Sequence, residues 1–74
     1  MTVENLLDCF KFYPDQITYF DTTNNIQDQI DLFSPPLNKF CGFIEEYGEY
    51  EVIDWSVHKF KEIIEIYIKM EENV

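Results

Sequence analysis

Hydrophobic positions near the start of the chain predict a helix. Apolar residues recur there at helical spacing, at Val3, Leu6, Leu7 and Phe10. This spacing gives a helix one apolar face. Thr2 can cap the helix, because its side-chain oxygen can accept a hydrogen bond from an N–H group of the first turn. The segment Tyr13-Pro14-Asp15 should end it, since the residue before a proline disfavours helical geometry.

The next pattern is that of a β-hairpin. Ile17-Thr18-Tyr19-Phe20 is rich in β-branched and aromatic residues and predicts a short strand. Asp21 to Asn25 has the composition of a turn, since Asn tolerates positive φ and Asp and Thr cap turns. The segment Ile26 to Phe33 fits either a helix or an alternating strand. Because it follows a strand and a turn, we favour a second strand that closes the hairpin.

A second helix is predicted after Ser34-Pro35-Pro36, in which Ser is the cap and Pro occupies the first helical position. Its expected apolar face consists of Leu37, Phe40, Cys41, Ile44 and Tyr47. Gly48 should end the helix as its C′ residue. Gly42 lies inside the helix, where it can permit close packing against a sheet.

The last part of the chain predicts two strands. Tyr50 to His58 alternates, with Ile53, Trp55 and Val57 on one face and Tyr50, Val52, Asp54, Ser56 and His58 on the other. Lys59-Phe60-Lys61 is the expected turn, and Glu62 to Met70 the final strand. A helix through Phe60, Ile63, Ile64 and Tyr67 competes with that strand, but the density of Ile and Tyr favours the strand.

These elements predict a single acidic α+β domain spanning residues 1–74. In it, two helices pack on a three- to four-stranded antiparallel sheet. The formal net charge is −10, yet 46% of the residues are hydrophobic and 18% aromatic, so the composition is that of a folded chain rather than a disordered acidic tail. We expect Cys9 and Cys41 to be reduced, half-buried thiols in a cytoplasmic protein. No apolar run is long enough to predict a membrane span.

Catalytic and cofactor motifs are missing from the sequence. With only Gly42 and Gly48, the chain has no glycine-rich phosphate loop. Asp54, Ser56 and His58 can lie in a row on one strand face at ~7 Å spacing. A catalytic triad instead needs its base between the nucleophile and the acid, so we expect a solvated polar face. The sequence predicts no enzyme, no cofactor and no metal site.

Acidic residues are concentrated in one stretch that contains no lysine or arginine. Five of them fall within ten positions, at Glu45, Glu46, Glu49, Glu51 and Asp54. On a strand, Glu49 and Glu51 would point to the same side at ~7 Å separation, similar to the spacing of phosphates along a nucleic-acid strand. A second acidic cluster is expected at Asp21, Asp28 and Asp31. The candidate anchors are Tyr19, Tyr47, Tyr50 and Trp55, because tyrosine and tryptophan are enriched at interface hot spots.

Three segments carry a resemblance to small phage and prophage proteins of Gram-positive bacteria: Met1 to Leu7, Ile17 to Asp21, and Ile64 to Lys69. In size, charge and expected α+β build the chain is also similar to anti-CRISPR proteins and other phage inhibitors that act as DNA mimics. This resemblance is one of class, so it assigns no role to an individual residue. It implies a host-defence inhibitor, for example of Cas9, that covers a DNA-binding groove stoichiometrically.

The leading hypothesis is therefore an acidic inhibitor that binds the basic nucleic-acid-binding groove of a larger protein in the bacterial cytoplasm. It would bind no nucleic acid itself. The alternative is a small accessory or regulatory interaction domain, with an aromatic interface and an acidity that is incidental to it. In a third interpretation the carboxylates only keep an aromatic-rich domain soluble. The sequence leaves the oligomeric state open.

Overall fold

The computed structural model describes residues 1–10, 14–32 and 38–73. The element order is α1 (Val3–Asp8), β1 (Gln16–Asp21), β2 (Ile26–Asp31), α2 (Asn38–Tyr47), β3 (Glu51–Phe60) and β4 (Ile63–Glu71). This α-β-β-α-β-β order confirms the predicted α+β class. It also confirms that both ambiguous segments form strands. The predicted helix start at Ser34-Pro35-Pro36 lies outside the described residues.

Local side-chain chemistry explains several element boundaries. Thr2 caps α1 as predicted, with its hydroxyl accepting a hydrogen bond of 3.2 Å from the backbone N–H of Asn5. The helix is shorter than expected and ends at Asp8, well before Pro14. Asn25 and Lys61 have φ values of 55° and 57° and allow the chain to reverse between β1 and β2 and between β3 and β4.

The four strands form one mixed sheet in the order β2-β1-β4-β3. Each hairpin is antiparallel, but the central strands β1 and β4 are parallel, so the prediction of a wholly antiparallel sheet was wrong in this respect. The reason is the direction of the chain. Because α2 carries it back to the end where β2 begins, β3 runs in the direction of β2 and β4 in that of β1.

Both helices contribute to a core on one face of the sheet. The buried apolar residues alternate along the strands and recur along the helices, at Val3, Leu6, Ile17, Tyr19, Ile30, Phe43, Tyr47, Ile66, Ile68 and Met70. In α2, Phe43 lies in this core and Cys41 is exposed, which reverses the prediction for Cys41. Cys9 is exposed as well, so neither thiol is half-buried. The opposite, open face of the sheet is largely polar.

A β-bulge between Val52 and Asp54 changes the predicted faces of β3. Val52 lies opposite Met70, and Trp55 lies opposite Ile68, so both are on the helix-covered side of the sheet. The strict alternation expected from Tyr50 to His58 was therefore wrong for Val52. The extra residue of a bulge shifts the alternation by one position. Asp54, Ser56 and His58 share the open face, as predicted.

The prediction for Gly42 was wrong, and the prediction that Gly48 ends the second helix was correct for its position. Gly42 is exposed, and a Cβ added there would have no neighbour within 4 Å, so it does not permit close packing. Gly48 follows the end of α2 but does not have positive φ. It is needed for a different reason, because a Cβ there would overlap the backbone carbonyl oxygen of Ile44.

Candidate functional site

Carboxylates from four separate segments meet at one end of the sheet, where β1 and β4 finish and β3 begins. α1 begins and α2 ends at the same place, since Val3 N–H donates to the Tyr50 carbonyl at 2.9 Å and Glu4 N–H to the Gly48 carbonyl at 3.0 Å. In the β3–β4 ladder, Glu51 lies directly opposite Glu71. We call this region the acidic end and define it by six glutamates: Glu4, Glu46, Glu49, Glu51, Glu71 and Glu72. All are exposed except Glu51, which is half-buried.

Positive charge near the acidic end is sparse among the described residues. The N-terminal ammonium forms an ion pair with Glu51. Lys69 borders the region, on the open face opposite Asp54. Lys59 and Lys61 lie around the β3–β4 turn at the opposite end of the sheet. Lys39, in the first turn of α2, lines a groove between α2 and β2 together with Glu46. Six of the fifteen Asp and Glu residues therefore lie at one end of the sheet, and Lys59 and Lys61 lie at the other.

A cluster of aromatic rings packs next to the acidic end, on the side of the core. Tyr47 packs against Tyr19, Phe43 and Tyr50, with ring centroids 5.0, 5.6 and 4.9 Å away. Burial raises the pKa of the Tyr47 hydroxyl above its usual range, and the nearby charge of Glu46 contributes. Partial burial also raises the pKa of Tyr50. Both hydroxyls thus stay neutral at physiological pH and can act as hydrogen-bond donors.

Three of the predicted contact residues are buried: Tyr19, Asp21 and Tyr47. Asp21 is completely buried, and its carboxylate accepts hydrogen bonds from Thr23 N–H at 3.0 Å and from Asn24 N–H and Nδ2 at 3.2 and 2.8 Å. It holds the β1–β2 turn together and is not available to a partner. Tyr47 is also buried, with 3% of its surface exposed. Of the remaining predicted anchors, Trp55 is exposed and Tyr50 is half-exposed, with its hydroxyl 3.4 Å from the side-chain nitrogen of Asn24.

The predicted hairpin cluster of Asp21, Asp28 and Asp31 does not form. The buried Asp21 lies at the acidic end, whereas Asp31 pairs with Gln16 at the opposite end of the same hairpin. Asp28 is exposed beside a groove between β2 and α2, which Glu46 also lines. Its charge helps to raise the pKa of Tyr19, after the larger effect of burial.

The stretch from Glu45 to Asp54 is brought together only in part. Glu45 and Glu46 are exposed on the last turns of α2. Glu49 lies in the turn before β3, so the predicted strand spacing between Glu49 and Glu51 was wrong. Asp54 is on the open face, where it accepts a hydrogen bond of 2.8 Å from Trp55 N–H. The acidic end therefore contains three members of the predicted stretch: Glu46, Glu49 and Glu51.

Sequence reasoning missed Glu4, Glu71 and Glu72. In the sequence, Glu4 indicates only a favourable charge in the first turn of a helix. A usable signal for Glu71 was the β3–β4 hairpin itself, because antiparallel pairing across a short turn brings the end of the second strand back to the start of the first. The position of Glu4 depends on how α1 docks against the end of α2, which no local pattern encodes.

Other chemistry among the described residues is limited. They contain no group of three or more His, Cys, Asp or Glu side chains placed to hold a metal ion. The Ser56 hydroxyl and His58 Nε2 lie 2.9 Å apart on the exposed face, and the imidazole packs edge-on against Tyr67 at 4.8 Å. The third member of the predicted row, Asp54, is engaged with the Trp55 N–H instead of the imidazole.

Comparisons with protein-family models, curated proteins and solved structures found no significant match to this chain. Neither of the two described helices has the length and apolar character required to cross a bilayer.

Proposed function

We propose that this protein is a stoichiometric inhibitor that binds, through its acidic end, the basic nucleic-acid-binding surface of a larger protein. The observation that carries the proposal is the convergence of six glutamates from four segments on one end of a small folded domain. Such an array presents negative charge at fixed positions, as a nucleic-acid backbone does, and can attract the Lys and Arg residues that otherwise bind phosphate.

Several of these charges are placed where they weaken the isolated protein. Glu51 and Glu71 are directly opposite each other in the ladder, and like charges in that arrangement destabilise a sheet. Glu46 lies in the last turn of α2, next to the negative end of the helix dipole. Only Glu51 has a described cationic partner, the N-terminal ammonium. A basic partner would remove this repulsion, so the unfavourable placement supports a role in binding.

The target class and location follow from the resemblance to phage proteins. A bacterial nuclease that holds its DNA or RNA in a lysine- and arginine-lined groove, such as a CRISPR effector, fits the proposed chemistry. The inhibitor would then act in the cytoplasm of the bacterial cell. Because its charge repels nucleic acid, it would compete with DNA for the groove without binding DNA itself.

The test is a competition experiment with matched charge variants. The triple variant Glu46→Gln, Glu49→Gln, Glu72→Gln removes three charges from the acidic end. The control variant Asp8→Asn, Asp31→Asn, Glu62→Gln removes three charges elsewhere on the surface. We expect the protein to capture a nucleic-acid-binding protein from bacterial lysate, DNA to displace it, and the first variant to lose at least tenfold more affinity than the control. Equal affinity of the two variants would refute a role for the acidic end.

An accessory interaction domain is the second candidate, and exposed apolar side chains on β3 favour it. Trp55 and Phe60 are 43% and 71% exposed. Salt distinguishes the two candidates, because binding through carboxylates weakens steeply as salt is added, whereas binding through aromatic side chains changes little.

A further inference from the structure

The two edges of the sheet differ in the side chains that they expose. Both β2 and β3 are edge strands. The middle of β2 exposes the polar residues Gln27, Asp28 and Gln29. In contrast, β3 exposes large apolar side chains over most of its length, at Ile53, Trp55, Val57 and Phe60. A long edge strand with exposed apolar residues is a template for pairing with another strand.

Three observations identify the backbone groups that face outward from β3. Val52 N–H points away from β4, since it donates to the Met1 carbonyl at 2.9 Å. The bulge after Val52 then shifts the alternation by one residue. Trp55 N–H bonds the neighbouring Asp54 carboxylate, which places it on the outer edge too. By alternation, Trp55, Val57 and Lys59 direct their N–H and C=O groups outward.

The start of this edge is already covered within the molecule. Thr2 forms a β-bridge with Glu51, and the Met1 carbonyl accepts the hydrogen bond from Val52 N–H. A strand added to the edge can therefore pair only from about residue 54 to residue 60. In an antiparallel pair of identical strands, this limit selects the register in which Val57 of one copy lies opposite Val57 of the other.

The charge sequence of β3 indicates which strand fits there. In the part of β3 that can pair, Asp54 is at the start and His58 and Lys59 are near the end, and the following turn carries Lys61 and Glu62. In antiparallel pairing with itself, the acidic start of each strand meets the basic end of the other. A two-fold interface of this kind is self-complementary.

We propose that two copies of this protein associate by antiparallel pairing of their β3 edges, with the two-fold axis at Val57. Trp55 then lies opposite the partner's Lys59, in a position to form a cation–π contact. The partner's Lys59 carbonyl replaces the Asp54 carboxylate as acceptor for the Trp55 N–H. This releases Asp54 toward the partner's His58, its diagonal neighbour across the pair.

The interface does not involve the acidic ends directly, and the inference is independent of the proposed function. The two-fold axis places the acidic ends at opposite ends of a continuous eight-stranded sheet. Each copy nevertheless carries a net charge of −10, so long-range repulsion opposes association. We expect weak association that strengthens as moderate salt screens the repulsion.

The test exploits the fact that residue 57 meets its own copy at the axis. Val57→Lys and Val57→Glu should each be monomeric, because they place like charges opposite each other. An equimolar mixture of the two should form a heterodimer. Val57 is 40% exposed, so neither substitution removes a core side chain. Gln27→Lys on the β2 edge is the control, since it makes the same charge change as Val57→Lys on the other edge strand.

Sedimentation equilibrium from micromolar to millimolar protein measures the outcome. The proposal predicts a monomer–dimer equilibrium for the wild type and for Gln27→Lys. It also predicts at least a tenfold weaker association for either residue-57 variant, restored in the mixture. A wild type that stays monomeric throughout overturns the proposal and points to a strand of another protein as the occupant. Failure of the mixture to associate overturns the Val57 register.

Discussion

Alanine substitutions at Gly42 and Gly48 are expected to change the free energy of unfolding in opposite directions. Gly42 lies inside α2, is exposed, and has open space where a Cβ would be placed. Alanine there reduces the conformational entropy of the unfolded chain without a steric cost in the helix. The expected stabilisation is about 0.5–1 kcal/mol.

At Gly48 the added methyl group meets backbone. It would overlap the Ile44 carbonyl oxygen, which accepts the Gly48 N–H hydrogen bond of 2.8 Å, and would lie 3.4 Å from the Glu4 carboxylate. A backbone carbonyl cannot move aside as a flexible side chain can, so the end of α2 must shift. Overpacking of this kind costs about 1–3 kcal/mol. The two variants should therefore differ by roughly 1.5–4 kcal/mol in total.

Urea unfolding followed by circular dichroism measures both changes. The midpoints should move apart while the slope m stays constant, because neither substitution changes the surface exposed on unfolding by much. For a domain of this size, 1 kcal/mol corresponds to about 4–8 °C in Tm. A destabilised Gly42→Ala, or a Gly48→Ala as stable as wild type, would refute the assignment of open space at the first position and close contact at the second.

Three further outcomes are expected. Asp21→Ala should lower the free energy of unfolding by about 2 kcal/mol in urea titrations, since the carboxylate accepts three hydrogen bonds in the β1–β2 turn. Burial raises the pKa of Tyr19 and Tyr47 above the ordinary value of 10.0, so these hydroxyls lose their protons at lower pH in the unfolded chain than in the folded one. The free energy of unfolding should therefore be constant below pH 10.0 in this respect and fall as the pH rises above it. Tyr47→Phe should reduce that alkaline loss, as measured by Tm against pH. Added salt should raise the Tm of the wild type by screening repulsion, and should raise it less for the triple acidic-end variant than for its control.

Local sequence patterns were sufficient to predict the helices and strands, but not how the strands are arranged in the sheet. The spacing of Val3 and Leu6, and the β-branched run at Ile17, predict a helix and a strand because such signals act within a few residues. The parallel pairing of β1 with β4 depends on the direction in which α2 returns the chain, which no single segment encodes. The bulge after Val52 was not predicted either. One extra residue there interrupts the alternation of faces, so a strictly alternating pattern assigns Val52 to the wrong face.

The site was predicted less well than the fold, because charge alone does not distinguish a structural carboxylate from a surface one. Asp21 had the same sequence signal as Asp28, a carboxylate in or near a predicted hairpin. In the structure, Asp21 is buried and holds a turn, whereas Asp28 is exposed. Glu72, in contrast, enters the acidic end because its N–H bonds the Thr23 hydroxyl at 2.7 Å, a contact between residues far apart in the chain.

The central position of β4 has a consequence for how the protein is made. It is the last of the six elements to be synthesised, yet it lies between β1 and β3 and contributes Ile66, Ile68 and Met70 to the core. Its contacts with the start of β1 join residues 49 positions apart, as in the bond from Ile64 N–H to Asp15. Until β4 emerges from the ribosome, the buried face of the β1–β2 hairpin has only helices to pack against. The core therefore cannot be completed until β4 is available, and a ribosome-stalling series should show protection from protease only after β4 has emerged.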